Sequence, residues 1–318
     1  MAARPLVAMH VLNLEPYCYS HSAVLEWLNA GFGYYEFGRL PLDFNPSSIV
    51  LLIVRLSTKI DKSIIDQYPS LQYIVSSTTG SDHVDLDYVK SKNILFFSLR
   101  EHASFLSSIP STAEHTWALI CASSRNLVHA SQSVSLGSWD RDTHKGWQLK
   151  GKSIGIIGLG RIGSKVAQYA TAFDMRVSYY DPYVYSCEYR RHSDLADLLS
   201  QSDIVSIHVH LNQDTRFLLD SKALSSVKEN SVLVNTSRSE VWDEAAVAEL
   251  VETSRVRAVA TDVLAGELTD IRHSPLWLAS QKYSSVLITP HIAGATHEAM
   301  AATEEYLAHY VSTLLKSV

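Results

Sequence analysis

The run Lys152-Ser153-Ile154-Gly155-Ile156-Ile157-Gly158-Leu159-Gly160-Arg161-Ile162-Gly163 ends in G-x-G-x-x-G, and Asp181 closes the apolar run that follows. This is the chemistry of a dinucleotide site. Gly158 permits a tight turn, Gly160 removes a side chain where a pyrophosphate must approach, and Gly163 lets a helix pack close to a sheet. The first helical residues, Arg161 and Ile162, then face the phosphates with free N–H groups and a favourable dipole. A carboxylate at Asp181 can accept both ribose hydroxyls and repels a 2′-phosphate, so NAD is expected over NADP. Arg190 and Arg191 in the next loop keep NADP open, and the bland alternative is a strand–helix turn with no ligand.

Further polar residues stand where apolar runs stop. Asn235-Thr236-Ser237-Arg238 follows the run from Ser231. Thr261-Asp262 ends the run from Val256, with Glu267 beyond it. Thr289-Pro290-His291 ends the run from Val286. In a doubly wound sheet, ligands bind at the carboxyl ends of the strands. Each residue alone reads equally as an ordinary surface or structural group. An arginine, a glutamate and a histidine at three neighbouring strand ends, beside a dinucleotide site, form a candidate reaction centre.

The elements that must position them alternate along the chain. Strands are expected at 6–12, 49–54, 73–75 and 94–97, with helices at 20–28, 60–68 and 86–91 between them. A long helical pattern spans 112–127 and could bridge two domains. Residues 131–150 look irregular. From Lys152 the pattern restarts, with strands at 154–157, 175–180, 204–209, 231–235, 256–261 and 286–289. Helices are expected at 162–173, 194–199 and 244–252, and an alanine-rich one at 297–316. Strand–helix–strand units of this length imply parallel sheets. The fold class is therefore α/β, with two Rossmann-like parallel-sheet domains and an interdomain cleft. The first domain is expected over 1–100, completed by the C-terminal helix at 294–318, and the nucleotide domain over 101–293.

Whole-chain numbers narrow the function classes. The 318 residues suffice for two cores. Apolar content of 46% and a mean hydropathy near zero suit a water-exposed globular chain. A net charge of -6 and no run of five basic residues argue against nucleic acid as a partner. Cys18, Cys121 and Cys187 are too scattered for a disulfide framework or a zinc site, and no metal is expected. No apolar stretch approaches the length of a membrane span. The start of the chain reads as a first strand instead of a signal peptide, which makes the cytoplasm the expected location.

With these motifs in view, the chain resembles the D-isomer-specific 2-hydroxyacid dehydrogenase family from about Tyr73 to Thr296. The segments that carry the resemblance are Thr79-Gly80-Ser81-Asp82-His83-Val84-Asp85-Leu86, Ala113-Glu114-His115, the glycine loop and Asp203-Ile204-Val205-Ser206-Ile207-His208. They continue with Asn235-Thr236-Ser237-Arg238, Asp262-Val263 with Glu267, and Pro290-His291-Ile292-Ala293-Gly294. The resemblance implies an NAD-dependent oxidoreductase that interconverts a small 2-hydroxy acid and its 2-keto acid, with a homodimer as the usual assembly. Closure of the cleft would exclude water before hydride transfer.

The same resemblance assigns roles. His291 would donate a proton to the carbonyl oxygen in reduction and accept it in oxidation. Glu267 would orient the ring and favour its charged form. Arg238 would hold the substrate carboxylate through its planar fork and polarise the carbonyl. Backbone N–H groups at Thr79 and Gly80 would form a second carboxylate-binding element; apart from the resemblance, Arg100, placed after a strand end, could meet a second anionic group or be an ordinary exposed arginine. On the cofactor side, Thr116 would lie near the phosphates and nicotinamide, and His208 and Val209 along the adenosine. Thr215 would sit at the pyrophosphate and adenine rim. Asp262 would receive the nicotinamide carboxamide, and Thr236, Arg238 and His291 would approach the same half.

Several positions depart from the family pattern. Ser239 stands where glycine usually follows the arginine, and Leu268 where proline usually follows the glutamate. His210 also replaces a proline, Thr79 replaces a small hydrophobe, and Val241-Trp242-Asp243 alters the next segment. None removes a side chain of the implied catalytic set. Thr79 and Trp242 are expected to change pocket polarity and size. Two alternatives share the fold: a phosphite- or phosphonate-type substrate, and a non-enzymatic NAD(H)-sensing protein of the corepressor kind, against which the absence of a long disordered tail weighs.

Overall fold

The computed structural model describes residues 9–185 and 188–316. Two compact units emerge, one made of Met1–Ile109 and Thr296–Val318, the other of Pro110–Ala295.

The first unit is built on five parallel strands: β1 (His10–Asn13), β2 (Gly33–Glu36), β3 (Ile49–Val54), β4 (Tyr73–Ser76) and β5 (Leu95–Ser98), in the order β2-β1-β3-β4-β5. All six residues of β3 are buried, as a strand covered on both faces requires. Each such Leu or Ile contributes roughly 1.5–3 kcal/mol by leaving water. Edge strand β2 is unanticipated by the sequence pattern: Gly-Tyr-Tyr-Glu has no β-branched residue and only half-buries its side chains. The helix expected over 60–68 shrinks to Lys62–Ile65: Ile60 bridges to Val84 as a strand residue, Asp61 caps the helix, and Pro69 disfavours helical backbone at residue 68. Helix His297–Lys316 returns to this unit and places Leu307, Ala308 and Val311 in the core with Val11 and Leu51. Its Glu304 is buried, accepts the Ser20 N–H at 2.6 Å and lies 3.3 Å from Arg55. Burial pushes that carboxyl above its usual range, against the pull of Ser20 and Arg55.

The second unit holds seven parallel strands: β6 (Ser153–Ile157), β7 (Arg176–Tyr180), β8 (Arg190–Arg191), β9 (Ile204–Ile207), β10 (Val232–Asn235), β11 (Ala258–Thr261) and β12 (Val286–Ile288). Their order is β12-β11-β10-β9-β6-β7-β8. The chain runs outward from β6 to β8, then crosses back to β9 and runs outward the other way. The order therefore reverses between β6 and β9, and in open α/β sheets ligands bind outside the carboxyl ends of the strands at such a point. Separate apolar clusters cover the two faces of the sheet.

Two expectations about this unit need correction. The helix expected over 112–127 runs Ser111–Arg125 and stops where Asn126 takes a left-handed φ of 52°, and a second helix, Leu127–Ser135, follows it. The second helix occupies the start of the segment read as irregular. Trp242 does not shape a pocket: it is 1% exposed in the core, with its backbone bridging to Leu219. Trp147 also packs on its own core and carries the Arg257 guanidinium 3.7 Å from its ring, whereas Trp139 is exposed.

Candidate functional site

The glycine turn leaves β6 beside the strand reversal. Gly158 has φ +88°, and a Cβ there would meet the His208 carbonyl oxygen at 2.8 Å and the Val209 side chain at 2.9 Å. His208 and Val209 thus form the wall against which the turn folds. At Gly163 a Cβ would drive into the Gly158 carbonyl oxygen, so this glycine serves helix–turn packing. Gly160 differs. Its φ is an ordinary -76°, and a Cβ would meet nothing within 4 Å. No side chain caps the helix Arg161–Ala172 that it starts. Among the described residues, no acceptor faces the N–H groups of Gly160 or Ile162. Open space beside orphan donors at a helix N-terminus fits a pyrophosphate. Gly160→Ala is therefore expected to leave the melting temperature unchanged while weakening NADH about tenfold or more. Gly163→Ala should instead destabilise the fold, by about 1–3 kcal/mol. Thermal melts and NADH titrations of both variants distinguish these outcomes. Arg161 lies half-buried on the first helical turn, its pKa lowered by burial.

Asp181 is buried at the end of β7. One carboxylate oxygen accepts the Leu159 N–H at 2.9 Å. The other accepts those of Tyr183 and Val184 at 2.8 and 3.2 Å. The residue expected to read the ribose also ties the glycine turn to its own loop. Arg191 donates to the Asp181 carbonyl at 3.2 Å and lies over the Tyr185 ring. Asp181→Ala should lower affinity for NADH more than for NADPH, measured by titrating both cofactors; an unchanged ratio would remove Asp181 from cofactor choice. His208 is held neutral, its pKa pulled down to about 3 by burial, with Nε2 2.8 Å from Ser206 Oγ. The Thr215 hydroxyl bonds within its own loop, to the His210 carbonyl and the Asn212 N–H.

Three strand ends lie in register, with Asn235 opposite Thr261 and Thr261 opposite Ile288. Past β10, the Asn235 side chain donates to the Arg238 carbonyl and accepts from Ser237, both at 2.9 Å, which shapes the turn bearing the arginine. Half-buried Arg238 also donates to the Ser237 carbonyl at 2.7 Å. Buried Thr116, from helix Ser111–Arg125, meets Thr236 hydroxyl to hydroxyl at 2.8 Å.

Past β11 and β12 the structure joins two of the sequence candidates. His291 Nδ1 lies 3.0 and 3.1 Å from the two carboxylate oxygens of Glu267, so the ring is oriented with Nε2 turned away. His291 has φ +54°, a left-handed conformation that costs a non-glycine residue about 1–3 kcal/mol. Neighbouring Asp262, 1% exposed, holds that turn: it accepts Thr289 Oγ1 at 2.5 Å and the N–H groups of Ile292 and Ala293 at 2.9 and 2.7 Å. Burial alone would raise its pKa, yet bonds from His115, Thr289 and these N–H groups outweigh it and hold the carboxyl below its usual range. The stabilisation it lends is present above the ordinary carboxylate range and is lost as pH falls through the lowered value.

Sequence reasoning missed the supports of this pair. His115 lies in a motif that was legible, but its partners Asp262 and Thr289 are remote in sequence. Buried Glu244 accepts the Ala265 N–H and the Ser274 hydroxyl, both at 2.7 Å, and so closes the loop carrying Glu267. Burial pushes this carboxyl up, against those two bonds. An acidic residue in the first turn of helix Glu244–Glu252 looks like dipole matching in sequence.

In the first unit, Thr79 and Gly80 sit half-exposed in the loop after β4. Among the described residues, no acceptor faces their N–H groups. Thr78 Oγ1 donates to the Gly80 carbonyl at 2.7 Å within that loop. Arg100 is exposed on a short 3-10 turn after β5. Phe105 stacks on Tyr306 with ring centres 4.0 Å apart, within its own unit.

Residues 117–293 match the family described as D-isomer specific 2-hydroxyacid dehydrogenase, NAD binding domain. The D-3-phosphoglycerate dehydrogenase of Mycobacterium bovis is 36% identical over 253 residues, covering 78% of this chain and 46% of that protein. The chain thus spans about half the length of such relatives. The hydroxypyruvate reductase of Thermotoga maritima is 34% identical over 78% of this chain and 79% of its own length. A crystal structure of D-lactate dehydrogenase from Aquifex aeolicus, complexed with NAD and lactic acid, covers 97% of this chain and 96% of that one, with a TM-score of 0.78 and 26% identity. The glycine turn, the reversed strand order and these matches agree: the chain belongs to the D-isomer specific 2-hydroxyacid dehydrogenase family, and its second unit carries that family's NAD binding domain.

Proposed function

We propose that this protein is an NAD-dependent oxidoreductase that interconverts a small 2-hydroxy acid and its 2-keto acid. The observation that carries the reading is the Glu267–His291 pair, held at the carboxyl end of the sheet that bears the glycine turn. Bound at the glycine turn, NADH would supply a hydride to C2 of the keto acid. His291 delivers a proton from Nε2 to the carbonyl oxygen, and Glu267 on Nδ1 stabilises the ring while it carries charge. Arg238 binds the substrate carboxylate and polarises the carbonyl. Gly160, Arg161 and Ile162 hold the pyrophosphate on the turn that Gly158 and Gly163 shape, and Asp181 holds the ribose. His208, Val209 and Thr215 line the adenosine side. Thr116, Thr236 and Asp262 border the nicotinamide. The N–H groups of Thr79 and Gly80 in the first unit are assigned to a carboxylate, and Arg100 to a second anionic group.

The assembly we infer is a homodimer. Leu127, Val128, Val134, Leu136 and Trp139 form an apolar, exposed stretch of the second unit, and a second copy would remove it from water. We place the protein in the cytoplasm, where NAD(H) is abundant; among the described residues, no helix is long and apolar enough to cross a membrane. The test is NADH oxidation over a panel of 2-keto acids with varied side chains, including phosphorylated and phosphonate analogues. Turnover of one or more 2-keto acids to the D-hydroxy acid is expected. Reduction of NAD by phosphite-type compounds in the reverse assay, with no 2-keto acid turned over, would move the substrate class. No turnover, together with NADH-dependent binding of a protein partner, would contradict the enzyme reading.

A further inference from the structure

We propose that His115 is a positioning residue for His291, acting through Thr289 and Asp262 to fix the turn that carries the proton donor. Thr289 Oγ1 has one hydrogen and lies 2.5 Å from Asp262 Oδ1, a carboxylate oxygen with none to give. The hydroxyl therefore donates to Asp262 and must accept its other bond. Its second neighbour is His115 Nε2, at 3.0 Å. His115 Nε2 must then carry a proton, which also points toward the same Asp262 oxygen at 3.4 Å.

These bonds close around one short turn. Asp262 takes the N–H groups of Ile292 and Ala293 on its side chain, and that of His291 on its main-chain oxygen at 2.9 Å. His291 sits in the middle with its left-handed φ of +54°. A conformation of that kind persists where its surroundings over-determine it. His115 is the member of the set that comes from a long helix, Ser111–Arg125. The next residue on that helix, Thr116, bonds Thr236 at the end of β10. One rigid element thus sets the height of both the turn leading to Arg238 and the turn bearing His291. His115 has no need to touch substrate or cofactor to affect the rate. A small displacement of a catalytic group costs turnover steeply.

The catalytic consequence rests on the proposed function; the hydrogen-bond assignment does not, so the test has two arms. In protein labelled with 15N at histidine, NMR of the imidazole nitrogens should show a protonated Nε2 on His115. His115→Ala should shift the ring resonances of His291, while His115→Gln, whose amide can donate to Thr289, should preserve them. An unprotonated Nε2 in the wild type, or an unmoved His291 in the Ala variant, would overturn the proposal even if no substrate were found. In the kinetic arm, His115→Ala should lower kcat about ten- to a hundredfold with the NADH Kd little changed, and His115→Gln should recover most of the loss. Equal impairment of Ala and Gln, or wild-type kcat in the Ala variant, would also overturn it. Absence of turnover in the wild type would instead defeat the functional reading and leave the NMR arm to decide.

Discussion

His291→Asn should reduce kcat for 2-keto-acid reduction by about 10²–10⁴-fold, the range a positioned general acid contributes, and leave NADH binding nearly intact. Asparagine suits this test for a structural reason. The backbone at His291 is left-handed, with φ +54°, and asparagine enters that region more readily than most residues. The turn should therefore survive, with the His291 N–H still bonded to the Asp262 and Thr289 carbonyls. An amide can hydrogen-bond to Glu267 and to a carbonyl oxygen, but it cannot deliver a proton near neutral pH. Steady-state kinetics and an NADH titration on the same preparation check both halves. A large loss of NADH affinity with modest change in kcat would assign His291 to cofactor binding instead.

Arg238→Ala should lower kcat/KM by about 10²–10³-fold, with KM rising and kcat falling together. The carboxylate loses a bidentate partner, and the developing charge on the carbonyl oxygen loses a donor. Main-chain geometry should persist, because Asn235 bonds the Arg238 carbonyl oxygen and not its side chain. Arg238→Lys should restore little, since an ammonium cannot reproduce the planar fork. Measured kcat/KM with the best substrate of the panel decides this. A wild-type value in the alanine variant would remove Arg238 from the substrate site.

Where local pattern and tertiary demand agree, the sequence is legible. The continuous apolar run Ile49–Val54 announces a strand buried on both faces, and the spacing Gly158, Gly160, Gly163 announces a turn with free donors. Strand β2 is obscure because Gly-Tyr-Tyr-Glu, as an edge strand, needs neither β-branching nor full burial. The break at Asn126 is hidden because Leu127–Ser135 continues the helical pattern without a proline or glycine. Trp242 misleads for a related reason. A large aromatic in a variant motif suggests a pocket wall, but burial depends on which way the 3-10 turn Ser239–Val241 sends the chain.

The site divides in the same way. Residues with a role at a strand end can be found from order along the chain, which is how Arg238, Glu267 and His291 are reached. Residues that hold them depend on contacts remote in sequence. His115 meets Thr289, and Glu244 meets Ser274, through packing that no short window encodes. Asp181 reads as a ligand group from its place after a strand, and Asp262 from the family resemblance. Both also bond backbone N–H groups of the turns around them. Their removal should therefore disturb the shape of the site as well as its contacts.

The central claim is hydride transfer between a nicotinamide and C2 of a 2-keto acid. It is tested most directly with NADH deuterated at both C4 positions and the 2-keto acid the protein turns over fastest, with the product read by mass spectrometry and proton NMR. The account predicts one deuterium per molecule, at C2 of the D-2-hydroxy acid, formed in step with NADH consumption. Solvent hydrogen at C2, or NADH consumed without any 2-hydroxy acid, would contradict it.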